Sequence, residues 1–261
     1  MKKIFALLLA LVMVFSLCAC GKSADSGSDL AYVKKNGKLI VGITDFEPMD
    51  YSDGNGGWIG FDADMAKAFA KYIGVDVEFI EIDWDNKILE LNNKSIDCVW
   101  NGMTLIPEVL NSMECANAYC NNAQVVVVNA AKAAEVNSTD ALKGLAIAAE
   151  AGSAGEEAIQ ALGLECIAVQ NQAAALMEVS AGTADACVID LLMAGAMIGE
   201  GTSYPELSYT VSLTSEEYGV GFRKGSDLAA KLNEFLKAAY ADGSLMACAK
   251  TYGVQESILP Q

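Results

Sequence analysis

The stretch Ile96–Leu110 (IDCVWNGMTLIPEVL) gathers hydrogen-bonding residues at one point of an otherwise apolar run. Ile96–Trp100 reads as a short buried strand opened by Asp97, and Asn101, Gly102 and Thr104 fall in a tight polar turn before a brief helix. In open α/β sheets small ligands settle at the carboxyl ends of strands, where connecting backbone faces a crevice. Asn101 and Thr104 supply hydrogen-bonding side chains, and Gly102 lets the main chain come close. The stretch reads as half of a ligand clamp, although on this segment alone an ordinary strand-to-helix loop is the better reading. A second strand repeats the design: Ala184–Val188 (ADACV) begins with Asp185 and leads to Asp190.

Other chemistries are closed off by composition. The chain has no histidine, which removes Ser-His-Asp and Cys-His catalysis and the commonest metal ligand. Cys98, Cys115, Cys120, Cys166, Cys187 and Cys248 include no CxxC pair to hold zinc, and no cofactor is called for. Cys98 and Cys187 lie in apolar strand runs, where a thiol acts as a small hydrophobe. Buried free thiols are expected, with Cys115–Cys120 the one close pair that could bridge. The net charge is −17, the pI about 4.3, and Arg223 is the only arginine. Such a surface repels phosphate backbones, so no nucleic-acid partner is expected.

The chain opens with a leader over residues 1–19. Lys2 and Lys3 give a positive start, and Ile4–Leu17 is an apolar run too short to span a membrane comfortably. Its end, Leu17-Cys18-Ala19-Cys20-Gly21, resembles the bacterial lipobox, which makes Cys20 the acylated N-terminus after cleavage. Residues 20–29 then form a tether, Lys22–Asp29 (KSADSGSD) being too polar and small to pack.

The elements that must position the clamp follow in a βα rhythm. Lys38–Thr44 is a strand, and Asp45–Tyr51 a loop interrupted by Pro48. Phe61–Ile73 is an amphipathic helix with Met65, Ala66, Phe69, Ala70 and Ile73 on one face, Asp62 as N-cap and Gly74 as stop. Val75–Ile80 is a strand, Trp84 lies in the following loop, and Asn86–Leu91 is a helix leading to Ile96. After the β-branched run Gln124–Asn129 the rhythm restarts: strands near Leu145–Ala148, Cys166–Val169 and Ala186–Ile189 alternate with helices near Gly152–Gln160, Gln172–Val179 and Leu191–Ile198. Tyr218–Phe222 is a last strand, and Ser226–Asp242 and Leu245–Tyr252 are terminal helices. Two βα runs imply two α/β lobes with largely parallel sheets.

Six motifs in order carry a family resemblance. They are Trp58-Ile59-Gly60-Phe61-Asp62-Ala63-Asp64-Met65 after Pro48-Met49, Ile96-Asp97 with Gly102-Met103-Thr104, Glu150-Ala151-Gly152-Ser153, Ala184-Asp185-Ala186 with Asp190, and Tyr218-Gly219-Val220-Gly221-Phe222-Arg223-Lys224-Gly225. Together they resemble the extracellular solute-binding proteins of polar amino-acid ABC importers, family 3. The resemblance implies a two-lobe periplasmic-binding-protein type II fold, each lobe a mixed sheet flanked by helices, joined by two hinge strands near Val125–Ala130 and Tyr218–Phe222. Lobe 1 would comprise residues 30–126 and 222–261, and lobe 2, inserted in it, residues 127–221.

The resemblance also implies roles. Phe46 and Trp84 would stack on the ligand, with core packing the plainer use of either ring and an equal fit for Trp84. Thr104, Asp190 and the Gly102 carbonyl would receive an ammonium, with Asn101 beside them. Gly152 and Ser153, opening a helix, would offer N–H groups to a carboxylate. One departure stands out: Val109 occupies the position of the family's carboxylate-binding arginine. That substitution points to a ligand without a free α-carboxylate, such as an amine, an amide or a peptide-like solute, with Asp45 and Glu47 bringing acids to the pocket mouth; the plainer alternative is an ordinary amino acid still held, weakly, through the helix N-terminus alone. The function implied is a monomeric lipoprotein on the extracytoplasmic face of the cell membrane. It would hand a small polar solute, an amino acid or an amine like one, to an ABC permease without catalysis. Two alternatives remain: a sensor or decayed paralogue without transport, and a dehydratase-like enzyme on the same fold using Glu150 or Glu47 as general acid.

Overall fold

A computed structural model describes residues 27–261; the leader and Cys20 lie outside the described residues. The chain in order is α1 (Asp29–Asn36), β1 (Lys38–Ile43), β2 (Tyr51–Ser52), β3 (Trp58–Ile59), α2 (Phe61–Ile73), β4 (Asp76–Glu81), α3 (Lys87–Asn92), β5 (Cys98–Thr104), α4 (Pro107–Ser112), β6 (Met113–Cys115) and β7 (Cys120–Asn122). It continues with β8 (Gln124–Asn129), β9 (Ile147–Glu150), α5 (Ala154–Ala161), β10 (Ile167–Val169), α6 (Gln172–Ala181), β11 (Ala186–Asp190), α7 (Leu191–Met197) and β12 (Leu207–Ser212), and closes with β13 (Glu216–Arg223), α8 (Leu228–Ala241) and α9 (Ser244–Thr251).

Two sheets result. The first has the order β4-β1-β5-β13-β6, with β7 also on β13; the second has the order β10-β9-β11-β8-β12. Both are mixed. β1 runs parallel to β4 and β5 while β13 is antiparallel to β5, and β9 runs parallel to β10 and β11 while β8 is antiparallel to β11. The paired aspartates read from the sequence do the same job in each: Asp97 accepts the Ile40 N–H (3.0 Å), and Asp185 accepts the Ala146 N–H (3.1 Å). Each carboxylate thereby ties the start of its strand to the neighbour.

The sheet pairing moves the crossings by a few residues. β8 lies wholly in the second sheet and β13 wholly in the first, so the chain crosses at Ala123 and returns through residues 213–215. Boundaries at 126/127 and 221/222 would cut strands that each stay in one sheet. The two crossings are joined: Leu213 N–H donates to the Gln124 carbonyl (2.8 Å), and Gln124 N–H to Thr214 Oγ1 (2.9 Å).

Helix α2 shows how local sequence sets an element. Its apolar face, including Met65, Ala66, Phe69, Ala70 and Ile73, is buried, and Gly74 closes it in the left-handed region at φ 80°. Asp62 is not its cap. Gly60 stands at that position at φ 129°, where a Cβ would lie 2.1 Å from the Met49 carbonyl oxygen, and the Asp62 side chain turns into the core. The six cysteines of the described residues are unbridged.

The end of the expected tether is part of the fold. Ser28 caps α1 by accepting the Ala31 N–H (2.9 Å), and its hydroxyl donates to Asp227 (2.5 Å). Asp29 is buried and pairs with Arg223 Nε at 3.0 Å. The same guanidinium pairs with Asp97 at 3.0 Å and donates to the Ile96 carbonyl at 2.7 Å. Arg223 therefore locks α1, β5 and β13 together at the end of β13 away from Tyr218.

Candidate functional site

Strand β5 runs on through Asn101, Gly102 and Thr104 rather than turning after Trp100. Cross-strand pairing to β13 holds it there, with a register shift between Gly219 and Gly221. Gly102 sits at φ 53°, and a Cβ there would come within 2.4 Å of Phe46 Cε1. Its N–H donates to the buried Asp62 carboxylate (2.7 Å), which also accepts from Tyr119 Oη (2.7 Å). Phe46 lies beneath Gly102 and meets Tyr218 edge-on at 6.3 Å. Asn101 braces two strands: Oδ1 accepts from the Thr44 N–H (3.0 Å) and hydroxyl (2.8 Å), and Nδ2 donates to the Thr44 carbonyl (3.0 Å) and Asp50 (2.8 Å).

One cleft between the two sheets is bordered by Trp84, Asn101, Gly102, Thr104, Gly152, Ser153 and Asp190, with Val109 in its wall. Of the residues expected to touch ligand, Phe46 is absent from this lining and is 2 % exposed, so in this conformation it is core. Asp45 and Glu47 line a neighbouring depression with Met193 and Met197 instead of the cleft. The lining leaves about 20 Å³, room for roughly one water molecule.

Asp190 ends β11 and is 4 % exposed. It accepts from Gln124 Nε2 (2.9 Å) and Tyr218 Oη (2.7 Å), and from the amides of Asn122 and Gln172. Glu216 shares two of these donors, Asn122 (2.7 Å) and Gln124 (2.7 Å), and also accepts from Thr104 Oγ1 (2.9 Å). Every side-chain donor to Asp190 is neutral. The Asn122 and Gln124 contributions have no signature in the sequence beyond two polar residues beside an apolar run.

The opposite wall opens α5. Ser153 caps it by accepting the Glu156 N–H (3.1 Å), while the Glu156 carboxylate accepts the Gly152 N–H (2.7 Å). Ser153 N–H donates to the Glu150 carbonyl (3.2 Å). The two N–H groups expected to greet a carboxylate thus already have internal acceptors. Glu156, which the sequence does not mark as a site residue, holds the anion position of this helix start.

Lys87 is the residue that sequence reasoning missed. It begins α3 directly after the single turn Trp84–Asn86, and is 3 % exposed within the cleft. Its Nζ donates to the Trp84 carbonyl (3.2 Å) and, across the cleft, to the Gly152 carbonyl (2.8 Å). It stands 5.0 Å from the centre of the Trp84 ring. Trp84 and Val109 belong to one apolar cluster with Ile82, Met103 and Met113.

Burial dominates the acid–base behaviour. It raises Glu150 to about 8, helped by the negative charge of Asp190 and opposed by Lys87. It raises Asp190 to about 7, helped by Glu216 and opposed by the hydrogen bonds from Tyr218, Gln172 and Gln124. It raises Asp62 to about 7 against the hydrogen bonds from Tyr119 and Gly102. Burial lowers Lys87, with Glu108 and Glu150 acting in the other sense. The stability consequence has a definite sign. The unfolded chain loses these carboxyl protons near pH 4, whereas the folded chain keeps them to about pH 7–8. Folding binds protons in that window, so stability falls as pH rises through it, with a limiting slope of about 1.4 kcal/mol per pH unit for each such carboxyl. Thermal melts should show a higher midpoint at pH 5 than at pH 8, and Glu150→Gln should flatten the slope. A midpoint that climbs from pH 5 to pH 8 would exclude this account.

Comparison with known proteins agrees with this geometry. The model of the bacterial extracellular solute-binding proteins, family 3, matches residues 39–255. The arginine-binding extracellular protein ArtP of Bacillus subtilis (strain 168) is 33 % identical over 254 residues, covering 94 % of this chain and 95 % of its own. Among solved structures, a variant of ArgBP from T. maritima superposes with a TM-score of 0.80 at 28 % identity, over 86 % of this chain and 99 % of that one. The ancestral amino acid-binding protein AncCDT-1, described as a precursor of cyclohexadienyl dehydratase, superposes with a TM-score of 0.78 at 31 % identity, over 86 % and 99 % of the two chains. The chain belongs to the bacterial extracellular solute-binding proteins, family 3, and is a two-lobe receptor that captures a small polar solute for an ABC importer.

Proposed function

We propose that the solute is an amino acid or a close amine relative, held by its ammonium on the Asp190 side of the cleft, with Thr104 and the Gly102 main chain beside it and Trp84 walling it from water. The observation that carries this is the charge state around Asp190. Two buried or part-buried carboxylates, Asp190 and Glu216, share neutral amide donors, and no lysine or arginine lies within 4.0 Å of either among the described residues. A buried carboxylate without a cation is costly, and a ligand ammonium relieves that cost. The arginine-binding name of a relative that aligns with nearly the whole chain supports the same class. A thermal-shift panel of amino acids, amines and short peptides on the chain lacking residues before Lys22 tests it. A binder at 100-fold above its Kd adds about 2.7 kcal/mol of stability. A panel with no stabilising member rules the reading out.

We further propose that Cys20 anchors a monomeric receptor to the outer leaflet. The Leu17–Gly21 signal supports this. Cys20→Ala should then release the protein from membranes into the medium or periplasmic fraction, as immunoblots of the separated fractions would show; retention in the membrane fraction refutes the anchor. The enzymatic alternative keeps one observation in its favour: Glu150 is buried in the cleft, lacks a partner at Oε1 and is raised to about 8, as a general acid would be. Recovery of the ligand chemically unchanged after incubation separates receptor from enzyme.

A further inference from the structure

The cleft holds a second unpaired charge, of opposite sign. Lys87 is 3 % exposed, yet its ammonium touches only two carbonyl oxygens and one ring face. Among the described residues no carboxylate lies within 4.0 Å of it, although every other described lysine that forms an ion pair does so at the surface. A buried ammonium without an anion is as costly as a buried carboxylate without a cation. It borders the same cleft as Val109, whose short apolar side chain fills no hydrogen-bonding role there. Asp190, lacking a cation, borders that cleft as well. A cleft with an unpaired cation and, at Asp190, an acid without a cation fits a zwitterion, Glu150 being the other buried acid of the lining and more than 4.0 Å from Lys87 Nζ.

From this juxtaposition we propose that Lys87 is the residue that selects a free carboxylate in the ligand, taking that task from the position where Val109 stands. This rests on the amino-acid reading above. It reverses the expectation that Val109 had turned the site to amines and amides: the cation has moved from α4 to the start of α3. Opening of the lobes would free Nζ from the Gly152 carbonyl, and a ligand carboxylate would take that place. The Trp84 carbonyl and ring, on the same lobe as Lys87, keep the ammonium oriented meanwhile.

The test is a binding series by calorimetry on the full mature chain with L-arginine, L-argininamide and agmatine as probes. These three keep the side-chain charge while the carboxylate is present, neutralised or removed. Wild type should prefer L-arginine over both others by 100-fold or more. Lys87→Met, which keeps chain length and removes charge, should lose that preference, with arginine weakened at least 100-fold and the other two changed less than 5-fold. Lys87→Arg should retain it, and Lys87→Met with Val109→Arg should restore it. A merely structural lysine would weaken all three probes alike. Wild-type preference surviving in Lys87→Met overturns the role of Lys87 and leaves the amino-acid reading standing. A wild type that binds amide and amine as well as the acid overturns it too. If the Lys87→Met chain fails to fold, Lys87→Gln is read by the same preference. No binding of these probes or of any amino acid by wild type instead removes the amino-acid reading itself.

Discussion

Asp190→Asn should weaken binding of the cognate amino acid by about 2–5 kcal/mol, a loss of roughly 30- to 5,000-fold, with little change in the unliganded fold. The size follows from the surroundings. Asp190 is buried at the end of β11, and its hydrogen-bond donors are neutral, so a ligand ammonium favours the ionised form that burial disfavours. The substitution keeps one oxygen for Tyr218 and Gln124 and removes the charge. Relief of a buried charge then offsets one amide group facing another at Gln172, whose carbonyl remains on the Asp190 N–H (2.8 Å). The opposed effects keep the melting midpoint near its original value while the pH slope between 5 and 8 becomes shallower, since one carboxyl raised to about 7 is gone. Calorimetric titration beside thermal melts checks both halves. Undiminished affinity would make Asp190 a structural hub of amides and nothing more.

Arg223→Met should cost about 3–5 kcal/mol of folding stability while leaving ligand affinity of the folded fraction unchanged. The guanidinium is buried between Asp29 and Asp97, both at 3.0 Å, and also serves the Ile96 carbonyl. Methionine fills much of the volume but strands two buried carboxylates. The sheet then loses the tie between α1 and the start of β5. Asp97→Asn in the same chain should recover part of the loss, because one stranded charge disappears. Urea unfolding with and without ligand gives both numbers. A change under about 1 kcal/mol would mean that solvent reaches the two acids easily, against their burial.

Several elements are legible because two kinds of local information agree. Phe61–Ile73 has helical apolar spacing and a glycine where the left-handed stop falls, and the helix has those bounds. Gln172 and Leu191 likewise open helices within a residue of the expected starts. Strand β5 outruns its sequence signal, since Asn101 and Gly102 look like turn residues until β13 is known to pair beside them. β12 carries a period-2 signal that the sequence reading passes over, Leu207, Tyr209 and Val211 alternating with Ser208, Thr210 and Ser212, and it pairs with β8. The cleft is legible through Thr104, Gly152, Ser153 and Asp190, which sit at element ends. Asn101 and Phe46 are harder to read for one reason: a polar or aromatic residue next to a ligand loop can face the ligand or the layer beneath, and only tertiary contacts decide. Lys87 escapes notice because a lysine at a helix start reads as solvated. The available hint is Trp84 three residues earlier and Leu91 four residues later, which put Lys87 on the buried face.

The capture of Ser28 and Asp29 by Asp227 and Arg223 sets the length of the leash. With Cys20 as the proposed acylated residue, eight residues separate the lipid from the first fixed point of the fold. Fully extended, they would reach at most about 29 Å, roughly the breadth of a small domain. With the anchor as proposed, the receptor would stay in a shell of about that thickness against the membrane. Its encounters with a permease become a search over a surface instead of through a volume. Both partners would then be confined to one surface, so a docking contact too weak to hold a freely diffusing receptor would be enough.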